Sequence, residues 1–346
     1  MFLILGLLED SGYLARGAML IDKPLSKIGL NGKSFVPMLS GFACAIPAML
    51  AARTISNRRE RLLTIFIIPL MSCSARLPVY ALLIAFLTPP DKAWLAGIAL
   101  AVIYISSILA SLIIAAIVNK FNKGLLRTED NSSFILELPT YRLPKISIVL
   151  RNSLENARQY IFRAGPTILI LSIVIWFLTY FPNHTPEIDT IGLTQEQIVL
   201  QIKAERLSTS YSADLGKLIQ PVMSPLGMDW RVGVSLIAAF AAREVFVSSL
   251  AMIFRITDDE NIQSSILSAM DEAKNEDTGK PLFTVSTIIG LIVFFIFAMQ
   301  CLSTVAVSKK ETGGWRIPVL QIVIFTSTAY VLTLITVNVL KFAGFN

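Results

Sequence analysis

The chain has 346 residues, of which 54% are hydrophobic and only 16% are charged, and its mean hydropathy is +0.66. Long uninterrupted apolar runs produce these values, so the composition excludes a soluble globular protein, a disordered chain and a disulfide-rich scaffold, and it indicates a polytopic membrane protein. The net charge of +6 comes from basic residues in short loops between apolar runs, which fits membrane orientation better than nucleic-acid binding.

The chain begins with eight residues that are mostly apolar and run directly into Glu9 and Asp10. This start lacks the basic residues of a secretory signal peptide, so no cleavable leader is predicted. Eight residues at about 1.5 Å each cannot cross a hydrocarbon core of about 30 Å, so we expect a packed stub or the tail of a longer helix. Glu9 and Asp10 are then expected to form a charged helix end at the membrane interface.

Residues 29–34, Gly-Leu-Asn-Gly-Lys-Ser, end like a phosphate-binding Walker A loop. That loop requires a glycine at the position of Lys27 and a preceding β-strand, and the sequence supplies neither. We therefore predict a polar turn before a membrane element.

Six apolar stretches are long enough to span a membrane. They cover residues 62–87, 93–118, 161–181, 232–254, 283–307 and 317–342. A further stretch, residues 35–52, is shorter and contains Gly41 and Pro47. It is predicted to be a broken or re-entrant element, which needs protein or water around it at membrane depth.

The charges of three loops predict the orientation of the chain. Residues 53–61, 120–160 and 308–316 carry net charges of +3, +3 and +2, and basic loops tend to stay in the cytoplasm. We expect these three loops on the cytoplasmic side, with prolines in the second loop favouring an extended connection along the membrane.

Acidic residues outnumber basic ones in two other loops, residues 182–217 and 255–282, which are expected on the opposite side. Because both then lie on one side, residues 218–254 are predicted to form a re-entrant hairpin. The first of these loops is predicted to be helical from a capping box at Thr194. It also holds the single histidine, His184, and one histidine excludes a zinc or haem site built on several imidazoles.

A weak internal repeat is visible. Residues 41–44, Gly-Phe-Ala-Cys, resemble residues 239–242, Ala-Phe-Ala-Ala, and residues 71–74, Met-Ser-Cys-Ser, resemble residues 299–302, Met-Gln-Cys-Leu. Short apolar matches also arise by chance. The alternative is an ancestral duplication with broken helices, which is how many transporters build a midplane site.

Three cysteines, Cys44, Cys73 and Cys301, lie inside apolar runs with no extracellular spacing pattern, so a disulfide framework is not expected. Pro47 lacks an N–H and is expected to release the carbonyl of Ala43, which would place a thiol beside a free oxygen. Thiolate sulfur favours copper(I), zinc or iron over magnesium and calcium. A buried cysteine also serves as a small hydrophobic residue, and this alternative stays open.

The surroundings of the later cysteines add to the metal hypothesis. Cys73 lies three residues before Arg76, so the thiol and the guanidinium are expected to share a helix face, where the positive charge favours the thiolate. Cys73 and Cys301 also stand two residues after Met71 and Met299, whose thioethers are soft donors.

Arg243 and Glu244 lie in the middle of an apolar run, where each charge costs about 2.5–3.5 kcal/mol on insertion scales. Adjacent helical residues do not face each other, so each side chain needs another partner. Glu244 is a candidate ligand for a permeating cation, with Arg243 bound to a backbone carbonyl. The alternative is a structural polar network.

With these residues in view, the chain resembles the membrane half of ferrous iron transport protein B, the FeoB family. The motifs that carry the resemblance run in order along nearly the whole chain, and such a series is specific. They are residues 8–13 (LEDSGY), 32–37 (GKSFVP), 41–48 (GFACAIPA), 69–77 (PLMSCSARL), 137–139 (ELP), 242–245 (AREV) and 310–313 (KETG).

We therefore expect an all-α, polytopic transmembrane helical bundle with broken or re-entrant helices and two Gate-like repeats, in the bacterial inner membrane. The resemblance divides the chain into a first Gate-like region (1–119), a cytoplasmic loop (120–160), a transmembrane helix (161–181), an extracytoplasmic helical loop (182–217) and a second Gate-like region (218–342).

The resemblance implies that Fe(II) is the transported substrate, and it points to Cys44, Cys73 and Cys301 as candidate residues of the iron path. The intramembrane charge adds Glu244 to this set. Supporting residues are Met71, Ser72, Arg76, Arg243 and Met299. The chain departs from the family at Ala45, where many members have asparagine, and at Gln300, where some have proline. An amide ligand beside Cys44 is therefore absent.

Family members also carry an amino-terminal GTPase domain, which the chain lacks, so we predict no GTP site and no enzymatic activity. The chain is then a truncated product, an internal fragment or one half of a split system. Expected partners are the lipid bilayer, a separately encoded GTPase domain, small Feo accessory proteins and further copies of the chain, but no nucleic acid.

Two alternatives to iron transport remain. One is a transporter of another divalent metal or of a nucleoside-like solute, because fold does not fix cargo. The other is a truncated membrane scaffold that transports nothing. An intramembrane enzyme has the least support, since the sequence offers no paired histidines, serine triad or pair of aspartates.

Overall fold

A computed structural model describes residues 2–89, 92–121, 141–182, 202, 206, 209–240, 243, 245–254, 262–274, 279, 281–299 and 301–344. Within these residues the regular structure is helical, and β pairing is confined to an isolated bridge between Lys274 and Pro281. The prediction of an all-α chain is confirmed. The predicted helical loop after residue 182 lies almost entirely outside the described residues.

The α-helices follow one another with short connections. They are α1 (Phe2–Asp10), α2 (Tyr13–Lys27), α3 (Phe35–Gly41), α4 (Ala45–Ala51), α5 (Arg58–Ile67), α6 (Leu77–Leu87), α7 (Ala93–Phe121), α8 (Ile146–Tyr180), α9 (Tyr211–Met223), α10 (Trp230–Ala239), α11 (Val245–Ile253), α12 (Ile262–Glu272), α13 (Val285–Phe297), α14 (Leu302–Thr312) and α15 (Arg316–Phe342). Short 3-10 turns lie at Gly32–Ser34, Ala52–Thr54, Ile68–Leu70, Ser74–Arg76 and Ser224–Leu226.

Polar caps set where several helices begin. The side chain of Asn57 accepts the backbone N–H of Arg59 at 2.9 Å at the start of α5. Asp229 accepts the N–H of Arg231 at 3.0 Å at the start of α10. Such caps satisfy N–H groups that have no partner within the helix, and they mark the residue at which each helix begins.

The segment that resembles a Walker loop is a polar turn, as predicted. Gly32–Ser34 is a 3-10 turn, and the side chain of Asn31 accepts the N–H of Ser34 at 3.2 Å. The N–H of Gly32 donates to the carboxylate of Asp22 at 2.7 Å rather than pointing at a phosphate site.

Four segments of the described chain are long and apolar enough to cross a membrane. They are Arg58–Leu87, Ala93–Lys120, Val285–Thr312 and Arg316–Phe342. Four of the predicted spans are thereby confirmed in length and composition. The first and third are each made of two helices with a break between them, which the sequence did not predict. A fifth predicted span, residues 161–181, corresponds to the second part of the long helix α8. In this part Leu169 and Ile170 each expose 60% of their surface.

The predicted span over residues 232–254 is not one continuous helix. Helix α10 ends at Ala239 and α11 begins at Val245. Helix α10 also packs closely against α9, because Gly216 leaves room: a Cβ there would lie 2.6 Å from Cγ2 of Val234. The packed pair of α9 and α10 begins at Tyr211, before the predicted hairpin of residues 218–254. The membrane topology of that hairpin stays a prediction.

The chain forms two compact units by its contacts. The first unit holds residues 1–74, 104–168 and 303–324, and the second holds residues 75–103, 169–302 and 325–346. Each unit thus takes segments from both halves of the chain.

Each unit has its own apolar core. In the first unit, fully buried side chains of α4 and α5, such as Met49 and Ile65, pack with Val307 of α14. In the second unit the rings of Phe246 and Phe295 meet edge to face at 4.9 Å between α11 and α13. Side chains this deeply buried fix how the helices meet, because interiors are close-packed.

Replacing Gly290 with valine is expected to lower the free energy of unfolding by about 1–3 kcal/mol, the usual cost of overpacking. A Cβ at Gly290 of α13 would lie 2.5 Å from Cγ2 of Val337 on α15, so the Val337 side chain or one of the two helices would have to shift. The matched control is Gly97→Val, because a Cβ there meets nothing within 4 Å. Thermal unfolding of the purified chain in detergent tests this, and equal midpoints for the two variants would contradict the expected clash.

Candidate functional site

The predicted broken element around Cys44 is broken in the structure. Helix α3 ends at Gly41 and α4 begins at Ala45. Cys44 lies between them in an extended conformation, with φ −160° and ψ 136°. Pro47 lies in the first turn of α4, where the absence of its N–H leaves the preceding turn without a helical donor.

The helical structure is interrupted a second time at Cys73. The next residue, Ser74, connects this interruption to the one at Cys44 by hydrogen bonds. Its N–H donates to the carbonyl of Phe42 at 2.8 Å, and its hydroxyl donates to the carbonyl of Ala43 at 3.0 Å. The Ala43 carbonyl is thus free of a helical partner, as predicted, and a hydroxyl satisfies it. This contact brings the backbone beside Cys73 to the backbone beside Cys44.

The second half of the chain contains the same arrangement. Helix α13 ends at Phe297, Ala298 is extended with φ −67° and ψ 138°, and α14 begins at Leu302, directly after Cys301. The N–H of Leu302 donates to the carbonyl of Phe240 at 3.0 Å.

These two hydrogen bonds join equivalent residues of the sequence repeat. The repeat aligns Phe42 with Phe240 and Ser74 with Leu302, and the same backbone N–H reaches the same carbonyl in both halves. The two copies of the weak sequence repeat therefore share this backbone hydrogen bond. We name these sites the first break, around Cys44 and Cys73, and the second break, around Cys301.

Arg76 lies at the second break although it belongs to the first half of the chain. Its side chain is fully buried, and it donates to the carbonyls of Ile296 at 3.2 Å and Ala298 at 3.4 Å. These carbonyls lie at the C-terminal end of α13, where the helix dipole favours a cation. Cys73 precedes the 3-10 turn that holds Arg76, so the prediction that the two share a helix face is wrong.

The methionines beside the cysteines are buried, and the thiols are half-buried. Met71 and Met299 expose 3% and 2% of their surface, whereas Cys44, Cys73 and Cys301 are intermediate. The hydroxyl of Ser111 on α7 approaches the sulfur of Met71 at 3.4 Å. The cysteines are thus more accessible than the methionines beside them. Ser72, another predicted supporting residue, is fully buried.

A glutamine that the sequence analysis did not single out stabilises the first broken span. Gln321 of α15 is fully buried and donates to the carbonyls of Ile65 at 3.0 Å and Phe66 at 3.1 Å. Pro69 has no N–H for the Ile65 carbonyl, which would otherwise be its helical partner. Ser308 in turn donates to the Gln321 side chain at 2.7 Å. A proline in one span and a lone amide in another were the signals available in the sequence.

Arg243 is buried, with 5% of its surface exposed, between the end of α10 and the start of α11. Its neighbour in the chain, Glu244, the predicted cation ligand, lies outside the described residues, as do Gln300 and residues 137–139. Within the described part of the chain, no group of three or more histidine, cysteine, aspartate or glutamate side chains is placed to hold a metal ion.

Asp10 was predicted to form a charged helix end. It does end α1, and it also binds the segment that precedes α8. Its carboxylate pairs with Arg142 and accepts the N–H of Lys145 at 2.8 Å. The hydrogen bond from the Lys145 backbone, with that from Arg142, holds the pKa of Asp10 below its usual value. The anchor therefore weakens only when the pH falls through this lowered pKa.

Two family models match the chain. The Gate model, described as nucleoside recognition, matches residues 1–87 and 161–315, and the model of the ferrous iron transport protein B C terminus matches residues 100–156. No solved structure matches.

Curated relatives match along nearly the whole chain. A Fe(2+) transporter FeoB of Leptospira biflexa is 38% identical over 100% of this chain and 48% of its own length. Another from Campylobacter jejuni is 34% identical over 99% of this chain and 52% of its own. An Fe(2+) transport protein A/FeoB fusion protein of Porphyromonas gingivalis is 36% identical over 96% of this chain and 41% of its own. The chain spans about half the length of the curated relatives it matches.

These matches agree with the repeated breaks and the apolar helices of the structure. The Gate match alone covers more than half of the chain. The chain is a multi-pass membrane protein and belongs to the ferrous iron transport protein B family, of which it carries the Gate and carboxy-terminal membrane regions.

Proposed function

We propose that this chain is the membrane portion of an Fe(II) importer in the bacterial inner membrane. The observation that supports this best is the repeated break, in which the same backbone hydrogen bond recurs beside Cys73 and beside Cys301. Broken helices with accessible donors are how transporters place binding groups at membrane depth.

In this proposal Fe(II) contacts Cys44 and Cys73 at the first break, Cys301 at the second, and Glu244. Thiolates and a carboxylate suit Fe(II), which accepts both soft and hard ligands. They would replace part of its water shell and bind it weakly enough to release it, as conduction requires. Arg76 and Arg243, with the buried Met71, Ser72 and Met299, support the shape of the breaks.

Partners are also part of the proposal. The relative from Porphyromonas gingivalis is named as a fusion with Fe(2+) transport protein A, so a small protein of that kind is a proposed partner of this chain. The family resemblance adds a GTPase domain, and further copies of the chain are proposed as well. We propose no enzymatic activity for the chain itself.

Exchanging Cys73 or Cys301 for serine is expected to reduce Fe(II) uptake by at least about tenfold, the effect of losing roughly 1.4 kcal/mol of ion stabilisation. The exchange keeps the shape of the side chain and removes its thiolate. Uptake of radioactive iron into proteoliposomes that contain the full chain measures the effect. Met270→Leu, a conservative change of a buried side chain in the core of the second unit that the proposal does not place in the path, is the control. Normal uptake by both cysteine variants would contradict their role in the path.

The same proteoliposomes separate iron transport from its alternatives. The Gate model is described as nucleoside recognition, which favours a nucleoside-like solute as the second candidate cargo. Such a carrier would take up a labelled nucleoside and ignore Fe(II). A carrier of another divalent metal would show stronger competition by Mn(II) or Zn(II) than by Fe(II), and a scaffold would move none of these solutes.

A further inference from the structure

The first unit contains a cavity of about 860 Å³ that reaches the neighbourhood of Cys44. Its wall includes Ser40 and Pro47, which flank Cys44 in the chain. The N–H of Cys44 donates to the carbonyl of Ser40 at 3.1 Å, so a backbone hydrogen bond joins the cavity wall to the first break. The cavity therefore begins where the proposed path meets the first break.

Polar side chains from the N-terminal half of α8 line one side of the cavity. Asn152, Glu155, Asn156 and Gln159 recur at helical spacing, and all of them line it. Gln159 donates to the Glu155 carboxylate at 3.3 Å. Glu9, at the end of α1, belongs to the same wall. The cavity thus offers carboxylate and amide oxygens from two helices that are distant in sequence.

A buried hydroxyl of this wall lacks a partner in the described structure. Ser153 exposes 7% of its surface, lines the cavity, and its Oγ makes no hydrogen bond to any described residue. A buried polar atom left without a partner costs about 1–3 kcal/mol, so such an atom commonly indicates a bound water or ligand. Ser153 therefore points to a polar occupant of the cavity.

The charges of the wall favour a cation. Two of the three basic side chains are engaged elsewhere: Arg142 pairs with Asp10, and Arg53 pairs with Glu311 at 2.6 Å. The charged groups of the wall that remain are the third basic side chain, Lys33, and the two carboxylates of Glu9 and Glu155. The groups outside the ion pairs therefore sum to a negative charge.

We propose that this cavity is a vestibule that holds a hydrated divalent cation next to the first break. The carboxylates of Glu9 and Glu155 accept hydrogen bonds from the water ligands of the ion, and the amides of α8 and the Ser153 hydroxyl complete the contacts. Six waters at about 30 Å³ each occupy roughly 200 Å³, so the cavity has room for the ion with its shell intact. The identity of the ion as Fe(II) rests on the proposed transport function, whereas the binding of a divalent cation does not.

Mn(II) is a suitable probe, because its hydrated ion has an electron paramagnetic resonance signal that weakens on binding. We expect the purified full chain in detergent to bind Mn(II), and the double variant Glu9→Gln/Glu155→Gln to bind it at least about tenfold more weakly. Asp271→Asn/Glu272→Gln is the matched control, since it makes the same charge change at two exposed positions of the second unit. Ser153→Ala is expected to weaken binding by a smaller factor. Equal affinities for the double variant and its control, or no Mn(II) binding by the parent chain, would overturn the proposal.

Fe(II) flux through proteoliposomes separates this proposal from the transport function. Mn(II) binding that depends on Glu9 and Glu155 in a chain that carries no Fe(II) would support the vestibule and contradict the importer. Fe(II) uptake together with Mn(II) binding that ignores both carboxylates would support the importer and contradict the vestibule. Cys44→Ser is expected to lower Fe(II) uptake while leaving Mn(II) binding unchanged, because sulfur is not among the ligands of the vestibule.

Discussion

Replacing Arg76 with methionine is expected to raise the rate at which Cys301 reacts with a thiol reagent by about ten- to a hundredfold. Arg76 donates to the carbonyls of Ile296 and Ala298 at the end of α13. Hydrogen bonds to charged groups contribute about 1.5–3 kcal/mol each, and every 1.4 kcal/mol changes an opening equilibrium about tenfold. The exchange for methionine also removes a buried charge, whose burial costs free energy. The equilibrium for local opening at the second break is therefore expected to change more than the free energy of unfolding.

The measurement needs a chain with a single thiol. The protein has three cysteines, so Cys44→Ser/Cys73→Ser leaves only Cys301 to react. Alkylation of this parent is compared with that of the Arg76→Met variant in lipid nanodiscs. Arg316→Met is the matched control, because it makes the same exchange at an exposed position. Arg76→Lys keeps the charge with fewer donors and should give an intermediate rate. An Arg76→Met variant that reacts no faster than the control would show that the arginine does not hold the second break closed.

Replacing Gln321 with leucine is expected to lower the free energy of unfolding by about 2–4 kcal/mol. The two side chains are similar in size, so the loss comes from the hydrogen bonds to Ile65 and Phe66 and not from a cavity. Interhelical hydrogen bonds in membranes contribute about 1–2 kcal/mol each in model peptides. Ser308 also loses its acceptor, which adds an unsatisfied buried hydroxyl.

A second exchange, Pro69→Ala, is expected to compensate for part of the stability that the Gln321→Leu variant loses. Alanine restores a backbone N–H at position 69, and that N–H can donate to the Ile65 carbonyl within the helix. We expect Pro69→Ala to recover about 1–2 kcal/mol in the leucine background and to change the parent protein less. Unfolding of the four proteins of this cycle by denaturant in mixed micelles gives the coupling. Strictly additive effects would contradict the role of Gln321 as the substitute partner of this carbonyl.

Local features of the sequence were enough to predict much of the fold. The uninterrupted apolar runs of α7 and α15 exceed the length that a membrane requires, and the structure contains both helices. The interruption around Cys44 followed from Gly41 and Pro47, because these residues weaken or block a helix wherever they occur. The motifs that resemble the family, and the three cysteines, could also be identified from the sequence without coordinates.

The interactions that shape the candidate site could not be predicted in this way. Nothing near Arg76 indicates that it reaches the end of α13, and nothing near Gln321 indicates the carbonyl left by Pro69. The break between α13 and α14 was missed because continuous apolar composition describes a straight and a broken span equally well. In the first broken span Pro69 was a local signal of the break, but its position alone does not show what satisfies the freed carbonyl.

The sequence by itself determined the class of the protein, its apolar helices, the weak repeat and the cysteines, because composition, spacing and helix breakers act over a few neighbouring residues. The tertiary structure alone decided that the repeat shares one hydrogen bond, that Arg76 caps the second break, and that Glu9 and Glu155 line one cavity. Each of these contacts joins residues that are far apart in the chain. These contacts form only when packed helices bring unpaired carbonyls and polar side chains together. Because water is excluded there, the polar side chains satisfy the carbonyls.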